Sequence, residues 1–420
     1  MVLLFMEKLH LLWYVDQSVE LKNRKPGIST LPHYWLLCEP DTFMTPPRIA
    51  VKLLFFINGF VHANLAARFP KVQELFRVDD GTFGFVLLAT SLGALVAMPF
   101  TGWLIIRNGS RRITITSVFL YCVFVPLVPL TLALPGITGL LLVFFVMGIT
   151  AGMLDVSMNA QAVMVEQQYR KPIMTSFHAL FSIGMAIGAG CGAIFVTLES
   201  SLFLHLSIIT VLGLIGAAWS RYHLIHDMPQ EKKSEGPAFR LPNAAMVSIG
   251  VIAFCCMLGE GAMADWSTNY MLNIALASEK FAPIGLATFA LAMTTGRFFG
   301  DAARIKWGDK TLMIYCGIIS TIGIAITLAF PTPYVAIFGF FLTGIGLSSI
   351  VPIAYSIAGN AKDLPPGVGL AMVTTVGYSG FLFGPPLIGL LADWYTLRIA
   401  LGLVGILFVI MTLLSARYKS

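Results

Sequence analysis

The sequence predicts an all-α integral membrane protein, with about twelve membrane-spanning helices in two six-helix bundles related by a pseudo-twofold axis. Of its 420 residues, 57% are hydrophobic and only 11% are charged, whereas soluble domains average about 25% charged residues. The mean hydropathy of +0.82 reflects runs of roughly 20 apolar residues, the length of helix that crosses the hydrocarbon core. No soluble core could enclose this much apolar surface.

The apolar runs are separated by breaks that are charged or rich in proline and glycine. They cover residues 50–69, 83–106, 113–134, 136–158, 173–198, 201–220, 244–271, 281–303, 311–330, 334–358, 367–391 and 397–416. The longest polar break after the first run, residues 221–243, divides these spans into six and six. We therefore expect it to be a linker between two halves.

The resulting domain prediction has four parts. Residues 1–47 form an irregular cytoplasmic extension, 48–220 and 244–420 form the two bundles, and 221–243 form a cytoplasmic linker. A weak internal repeat supports the two halves, because Phe145-Val-Met-Gly148-Ile in the fourth span resembles Phe341-Leu-Thr-Gly344-Ile in the tenth.

Lysine and arginine are distributed unevenly between the two sets of loops. One set contains Arg107, Arg111, Arg112, Arg170, Lys171, Arg221, Lys232, Lys233, Arg240, Arg304, Lys306, Lys310, Lys362, Arg417 and Lys419, whereas the other contains Lys71, Arg77, Lys280 and Arg398. Because cytoplasmic loops retain positive charge, both termini are expected in the cytoplasm, with the protein in a bacterial inner membrane. This asymmetry also accounts for the net charge of +6, so nucleic acid is not an expected partner.

Other site classes find no support in the sequence. Five of the six cysteines lie inside predicted spans, which indicates small buried side chains rather than a disulfide framework. There is no metal-ligand spacing, nucleotide-binding loop or nucleophile motif. The sequence therefore predicts neither an enzyme nor a cofactor or metal site, and it favours a monomer whose partners are a small solute, protons and the lipid bilayer.

The loop after the second span contains a recognisable motif. It reads Gly102-Trp-Leu-Ile-Ile106-Arg107-Asn-Gly109-Ser-Arg111-Arg112, which is similar to the signature G-x-x-x-D-(R/K)-x-G-(R/K)-(R/K) of the major facilitator superfamily. Ile106 stands where that family has an aspartate. The ion pair that uses the aspartate to latch the cytoplasmic side therefore cannot form here.

More specific segments resemble a bacterial branch of this family related to fucose permease, over residues 48–416. They are Gly152-Met-Leu-Asp155-Val-Ser-Met-Asn159-Ala-Gln161, Ser176-Phe177-His178, Gly259-Glu260-Gly261-Ala-Met-Ala-Asp265-Trp266-Ser267 and Gly377-Tyr378-Ser-Gly380-Phe-Leu-Phe-Gly384-Pro385-Pro386. The resemblance implies a neutral, sugar-like solute and proton coupling.

Charged residues at membrane depth cost roughly 2.5 kcal/mol or more, so each is a candidate for function. The predicted orientation places them in two groups. The expected inner cluster contains Asp155, His178, Arg297 and Asp301, and the expected outer cluster contains Asn64, Arg68, Glu260 and Asp265. We interpret both as gates that open and close in alternating access.

Within these groups, Asp155 is the first candidate for proton coupling, with His178 beside it to stabilise its charge, and Glu260 is the second. The alternative for Asp155 is a structural hydrogen bond between helices. Arg297 and Asp301, four residues apart on one helix face, are expected to form a structural pair. Arg68 could equally extend to the membrane surface.

Uncharged polar side chains supply the candidates for solute binding, which are Asn64, Asn159, Gln161 and Tyr378. The sequence thus predicts a secondary active transporter that imports a small uncharged polar solute by alternating access, with proton symport. The main alternative is a proton-coupled exporter of amphipathic compounds, which would share the fold.

Overall fold

In the computed structural model of the protein, the described residues are 45–78, 80–227, 244–278, 281–361, 364 and 366–418, and their only regular elements are helices. Residues 46–420 belong to one compact unit. Almost all of the predicted extension 1–47, and most of the predicted linker 221–243, lie outside the described residues.

Thirteen α-helices are described. They are α1 (Pro46–Ala66), α2 (Phe69–Phe76), α3 (Asp80–Asn108), α4 (Ser110–Phe124), α5 (Thr138–Tyr169), α6 (Met174–Thr197), α7 (Leu202–His223), α8 (Ala244–Asn273), α9 (Pro283–Ala329), α10 (Pro333–Leu347), α11 (Ile350–Gly359), α12 (Pro366–Trp394) and α13 (Leu397–Arg417). Two short 3₁₀ segments, Val125–Leu127 and Pro129–Ala133, follow α4.

The described residues contain 11 helical segments that are long and apolar enough to cross a membrane. One of them, Ile284–Ala329 in α9, has 46 residues, and at 1.5 Å per residue it is about twice as long as the hydrocarbon core is thick. Gly308 interrupts it with φ 75° and ψ 164°. Counting the two arms of α9 separately gives the twelve spans that the sequence predicts.

The chain reverses at equivalent glycines in the two halves. Gly109, between α3 and α4, has φ 81° and ψ 148°, close to the backbone conformation of Gly308 between the arms of α9. Positive φ favours glycine, so both turns need this residue type. The Asp227 carboxylate accepts hydrogen bonds from the backbone N–H groups of Ser110 and Arg111, the latter at 3.1 Å, and so caps the start of α4.

The internal repeat corresponds to equivalent packing contacts. A Cβ on Gly148 of α5 would lie 2.0 Å from the carbonyl oxygen of Thr90 in α3, and one on Gly344 of α10 would lie 2.6 Å from that of Phe289 in α9. Only glycine permits these backbones to approach so closely. In each half, therefore, the fourth span packs on the second.

The two bundles contact each other near one face of the protein. We call this the basic face, because it is where the loops of the arginine- and lysine-rich set lie, and the opposite face the distal face. The contacts join α3 to α12 at Gly102 and Ala371, α6 to α9 at Thr175 and Gly300, and α5 to α11 at Val163 and Gly359. The bundles are thus closed against each other at the basic face.

Candidate functional site

Polar side chains from both bundles meet near the middle of the spans. We call them the central cluster: Asp155 and Asn159 on α5, His178 on α6, Glu260 on α8, Arg297 on α9, Tyr355 on α11 and Tyr378 on α12. Asp155 is the eighteenth residue of the 32 in α5, so it lies about 25 Å from the distal end of that helix. The cluster is therefore near half depth.

Asp155 belongs to the N-terminal bundle, and its carboxyl group faces the other bundle. The Asn159 amide nitrogen donates to the Asp155 backbone oxygen at 2.8 Å and to its Oδ1 at 3.3 Å. Tyr355 and Tyr378 of the opposite bundle lie beside the carboxyl group. Its other oxygen, Oδ2, is buried and lacks a hydrogen-bond partner in the described part of the chain. Asp155 thus presents a free acceptor between the bundles.

His178 is oriented by the same hydrogen-bond chain. Because the Asn159 amide nitrogen already donates to Asp155, the amide oxygen is left to accept, and it lies 3.2 Å from His178 Nε2. This arrangement places the imidazole proton on Nε2. The ring lies between Phe55 and Tyr355, with ring centroids at 5.0 Å and 5.8 Å. Asn159 therefore lies between His178 and Asp155, which the sequence predicts to lie beside each other.

Glu260 and Arg297 form an ion pair on the other side of the cluster. Arg297 Nη2 lies 3.1 Å from Glu260 Oε1, and Nη1 donates to Ser182 Oγ on α6 at 2.7 Å. The sequence-based assignment of Glu260 to an outer cluster apart from Arg297 was therefore wrong. The expected Arg297–Asp301 pair was also wrong, since Asp301 accepts hydrogen bonds from the backbone N–H groups of Thr175 and Ser176, both at 2.8 Å.

A second cluster of polar side chains connects the bundles, closer to the basic face. We call it the basic-face cluster: Glu166 on α5, Asp301, Arg304 and Asp309 on α9, and Ser356 on α11. Arg304 is 4% exposed; it lies 3.3 Å from Glu166 and donates to Asp309 at 2.8 Å. Glu166 also accepts from the Ile173 and Met174 backbone N–H groups, both at 2.9 Å, at the start of α6.

Glu166 and Ser356 were not identified from the sequence, and Arg304 was treated only as a loop charge. One available signal was the similarity of the Arg304–Lys310 segment to the glycine turn after α3, since both have basic residues beside a turn glycine. Neither spacing nor composition reveals that Glu166 faces Arg304, because 138 residues separate them.

The remaining outer candidates lie apart from the central cluster. Asn64 is buried, donates to the Phe60 carbonyl at 2.8 Å and lies 3.0 Å from His205 Nε2 on α7. Arg68 donates to the Ser200 carbonyl at 2.6 Å, and burial lowers the pKa of its guanidinium. Both residues therefore connect elements within the N-terminal bundle, whereas Asp265 is exposed on α8.

Gln161 also lies away from the central cluster. Its amide nitrogen donates to Ser110 Oγ at 2.7 Å and to the Ile225 carbonyl at 3.0 Å, and its amide oxygen accepts from the Ile225 N–H at 3.0 Å. The side chain is fully buried and fastens the segment after α7 to the bundle. Among the predicted solute-binding residues, only Asn159 and Tyr378 are in the central cluster.

The central cluster combines a free carboxylate oxygen, two phenol groups, an imidazole and an ion pair. Such groups can bind hydroxyl or amide groups and can hold a proton. In the described residues, no group of three or more His, Cys, Asp or Glu side chains is arranged to hold a metal ion.

Comparison with known proteins identifies the family. Residues 52–300 match the model of the Major Facilitator Superfamily. An uncharacterised MFS-type transporter of Yersinia pestis is 33% identical over 360 residues, which are 86% of this chain and 92% of that protein. The chain belongs to the Major Facilitator Superfamily. It is therefore a membrane transporter and not an enzyme.

Solved structures with low sequence identity share the fold of this MFS transporter. The transporter FucP in its outward conformation has a TM-score of 0.77 at 16% identity, over 89% of this chain and 98% of that one; FucP is the Escherichia coli fucose:proton symporter. The human organic anion transporter MFSD10 has a TM-score of 0.75 at 13% identity, over 89% of this chain and all of that one. At these identities the likeness supports the two-bundle fold alone.

Proposed function

We propose that this MFS transporter imports a small uncharged polar solute together with protons, by alternating access from the distal to the basic face. The observation that carries the proposal is the free Oδ2 of Asp155, which faces Tyr355 and Tyr378 of the other bundle in the central cluster. A buried carboxyl group placed between two moving bundles can accept a proton or a solute hydroxyl from either side.

The charges in the central cluster favour an uncharged solute. Arg297 is already paired with Glu260 at 3.1 Å, so its charge is compensated before any solute binds. Asp155 Oδ2 is an acceptor without a partner in the described residues, and Tyr378 and Asn159 supply neutral polar groups. A solute rich in hydroxyl groups matches these groups, whereas an anion would be repelled by Asp155. Such a solute is consistent with the structural similarity to a fucose:proton symporter.

Contacts at the basic face support the import direction. With α3, α5 and α6 packed on α12, α11 and α9 there, the basic side is closed, and in the proposed cycle solute reaches the central cluster from the distal side. Entry on that side, followed by opening of the basic face, gives import if the basic face is cytoplasmic. The unequal loop charges favour that orientation.

Proton movement in proteoliposomes tests the proposal. An internal pH dye is followed while neutral sugars, polyols or amphipathic drugs are added to right-side-out vesicles. We expect acidification with one of the sugars or polyols, and Asp155→Asn should lose this signal, because an amide cannot bind and release the coupled proton. Exchange of solute at equal concentrations should persist in the variant.

Other outcomes would replace the proposal. A signal only with amphipathic drugs, with protons moving in the opposite direction, would support the exporter. If Asp155→Asn kept the proton signal and its pH dependence, Asp155 would not be the coupling group. Glu74→Gln, which changes an exposed carboxylate paired with Lys71, is the control.

A further inference from the structure

We infer that Arg297 couples the charge of Glu260 to closure of the basic face, by holding Ser182 of the opposite bundle. Arg297 Nη2 lies 3.1 Å from Glu260 on α8, and Nη1 donates to Ser182 Oγ on α6 at 2.7 Å. One guanidinium thus joins a carboxylate of its own bundle to a hydroxyl of the other. This inference rests on the proposed alternating access, but not on the identity of the solute.

The shape of the guanidinium explains the coupling. Its N–H groups lie in a rigid plane, so the direction of one hydrogen bond fixes the directions of the others. Arg297 Nε has no partner within the described residues, which leaves the Glu260 and Ser182 contacts to orient the group. When Glu260 is ionised, the charge-assisted bond to Nη2 therefore aims Nη1 at Ser182.

The basic face can open only if the contacts between α6 and α9 break. Asp301 is four residues after Arg297, hence on the same face of α9, and it accepts hydrogen bonds from Thr175 and Ser176. Helix α9 is thus bonded to α6 at two levels, and the basic face cannot open unless both levels separate. Of the two, the Arg297–Ser182 contact includes a member of the central cluster, so it can respond to a change in that cluster.

Glu260 is the more accessible partner of its ion pair with Arg297. Its side chain is 24% exposed, compared with 10% for Arg297. The groups that face it are Arg297 on α9, Tyr355 on α11, Tyr378 on α12, and Cys256 one turn earlier on α8. A neutral group in place of the Glu260 carboxylate removes the charge that aims Arg297. The Ser182 contact then weakens and the bundles can separate at the basic face.

A distance measurement across the basic face tests this inference without any solute. Spin labels are placed on Arg112→Cys in the N-terminal bundle and Lys306→Cys in the C-terminal bundle, both at exposed positions. Double electron–electron resonance spectroscopy then measures the distances between the two labels, and their distribution gives the proportions of closed and open protein. We expect Glu260→Gln to raise the open-to-closed ratio about tenfold.

Ser182→Ala removes the same link from its other end and should shift the ratio in the same direction. Because both substitutions act through Arg297, the double variant should shift it no further than the larger single effect, a non-additivity that independent structural damage would not produce. Arg297→Lys keeps the charge but loses the planar geometry, so it should behave like Ser182→Ala. Glu199→Gln, at an exposed distal position, should match the unmodified protein.

Two results would overturn the inference. One is a Glu260→Gln variant with the closed population of the unmodified protein. The other is fully additive effects of Glu260→Gln and Ser182→Ala, which would show that Arg297 does not connect them. Neither result bears on proton symport through Asp155, which the proteoliposome assay tests separately.

Discussion

At the scale of single residues, Glu166 shows how one buried carboxylate serves both bundles. Its Oε2 accepts hydrogen bonds from two backbone N–H groups at the start of α6 and lies 3.3 Å from Arg304. Its Oε1 accepts a hydrogen bond from Ser356 Oγ. The first two bonds are within the N-terminal bundle, whereas Arg304 and Ser356 belong to the other. Removing the charge of Glu166 should therefore weaken the contact between the two bundles more than it weakens packing within the N-terminal bundle.

We predict that Glu166→Gln favours opening of the basic face by about 1.5–3 kcal/mol, the usual worth of a hydrogen bond to a charged group. Opening is measured as the alkylation rate of Val163→Cys, since Val163 is fully buried against Gly359 of the other bundle. The matched control is Glu74→Gln, because its pair with Lys71 is exposed and such pairs contribute about 0–1 kcal/mol. Equal alkylation rates in the two variants would contradict the role of Glu166.

At the scale of helices, the sequence predicted the spans well because their cause is local. A run of apolar residues between charged or glycine-containing turns forms a helix across the membrane wherever it stands in the chain. The twelve predicted runs correspond to the described spans within a few residues at most ends, although α5 continues 11 residues beyond the predicted end at residue 158. Asp155 and His178 were expected near each other because the sequence places them at similar depth on neighbouring helices.

The partners of these side chains were less predictable, because they depend on helix rotation and tilt. Depth alone suggested that Glu260 and Arg297 would not meet, yet their helices bring the two side chains to 3.1 Å. Similarly, Gln161 lies on a polar helix face but turns toward Ser110 and Ile225. Periodicity gives the face of a helix, whereas the neighbour of that face is set by packing over the whole bundle.

The contact between α3 and α12 provides a prediction at the helix scale. Ile106 replaces the aspartate of the family motif, and the contact instead relies on close packing. A Cβ on Gly102 would lie 2.9 Å from Ala371 Cβ and 3.0 Å from the Gly367 carbonyl oxygen. We expect Gly102→Ala to force these helices apart and raise the open fraction in the spin-label measurement across the basic face.

Gly402→Ala on α13 is the matched control for this prediction, since a Cβ there meets nothing within 4 Å. Alanine has the higher helix propensity, so the control should be neutral or slightly stabilising. An open fraction unchanged by Gly102→Ala would show that α3 and α12 can adjust without separating, and that the other contacts between the bundles suffice to close this face.

At the scale of the whole molecule, the two bundles have related backbones but different contacts at the basic face. Gly109 and Gly308 turn the chain in equivalent loops, and Gly148 and Gly344 make equivalent packing contacts. Between the bundles, however, the α3–α12 contact is apolar, whereas the α9 contacts with α5 and α6 carry Glu166, Arg304 and Asp301. Charge-dependent control of opening is therefore concentrated on the side of α9.

The direction of transport depends on which face is cytoplasmic, and the loop charges predict the basic face. In intact cells, a membrane-impermeant maleimide should label Leu134→Cys, at an exposed position between α4 and α5 on the distal face. It should label Arg417→Cys, at the exposed end of α13, only after the membrane is permeabilised. The physical reason is that loops rich in lysine and arginine are retained in the cytoplasm during insertion. The reverse labelling pattern would place the basic face outside the cell and contradict the proposed entry of solute from the distal face.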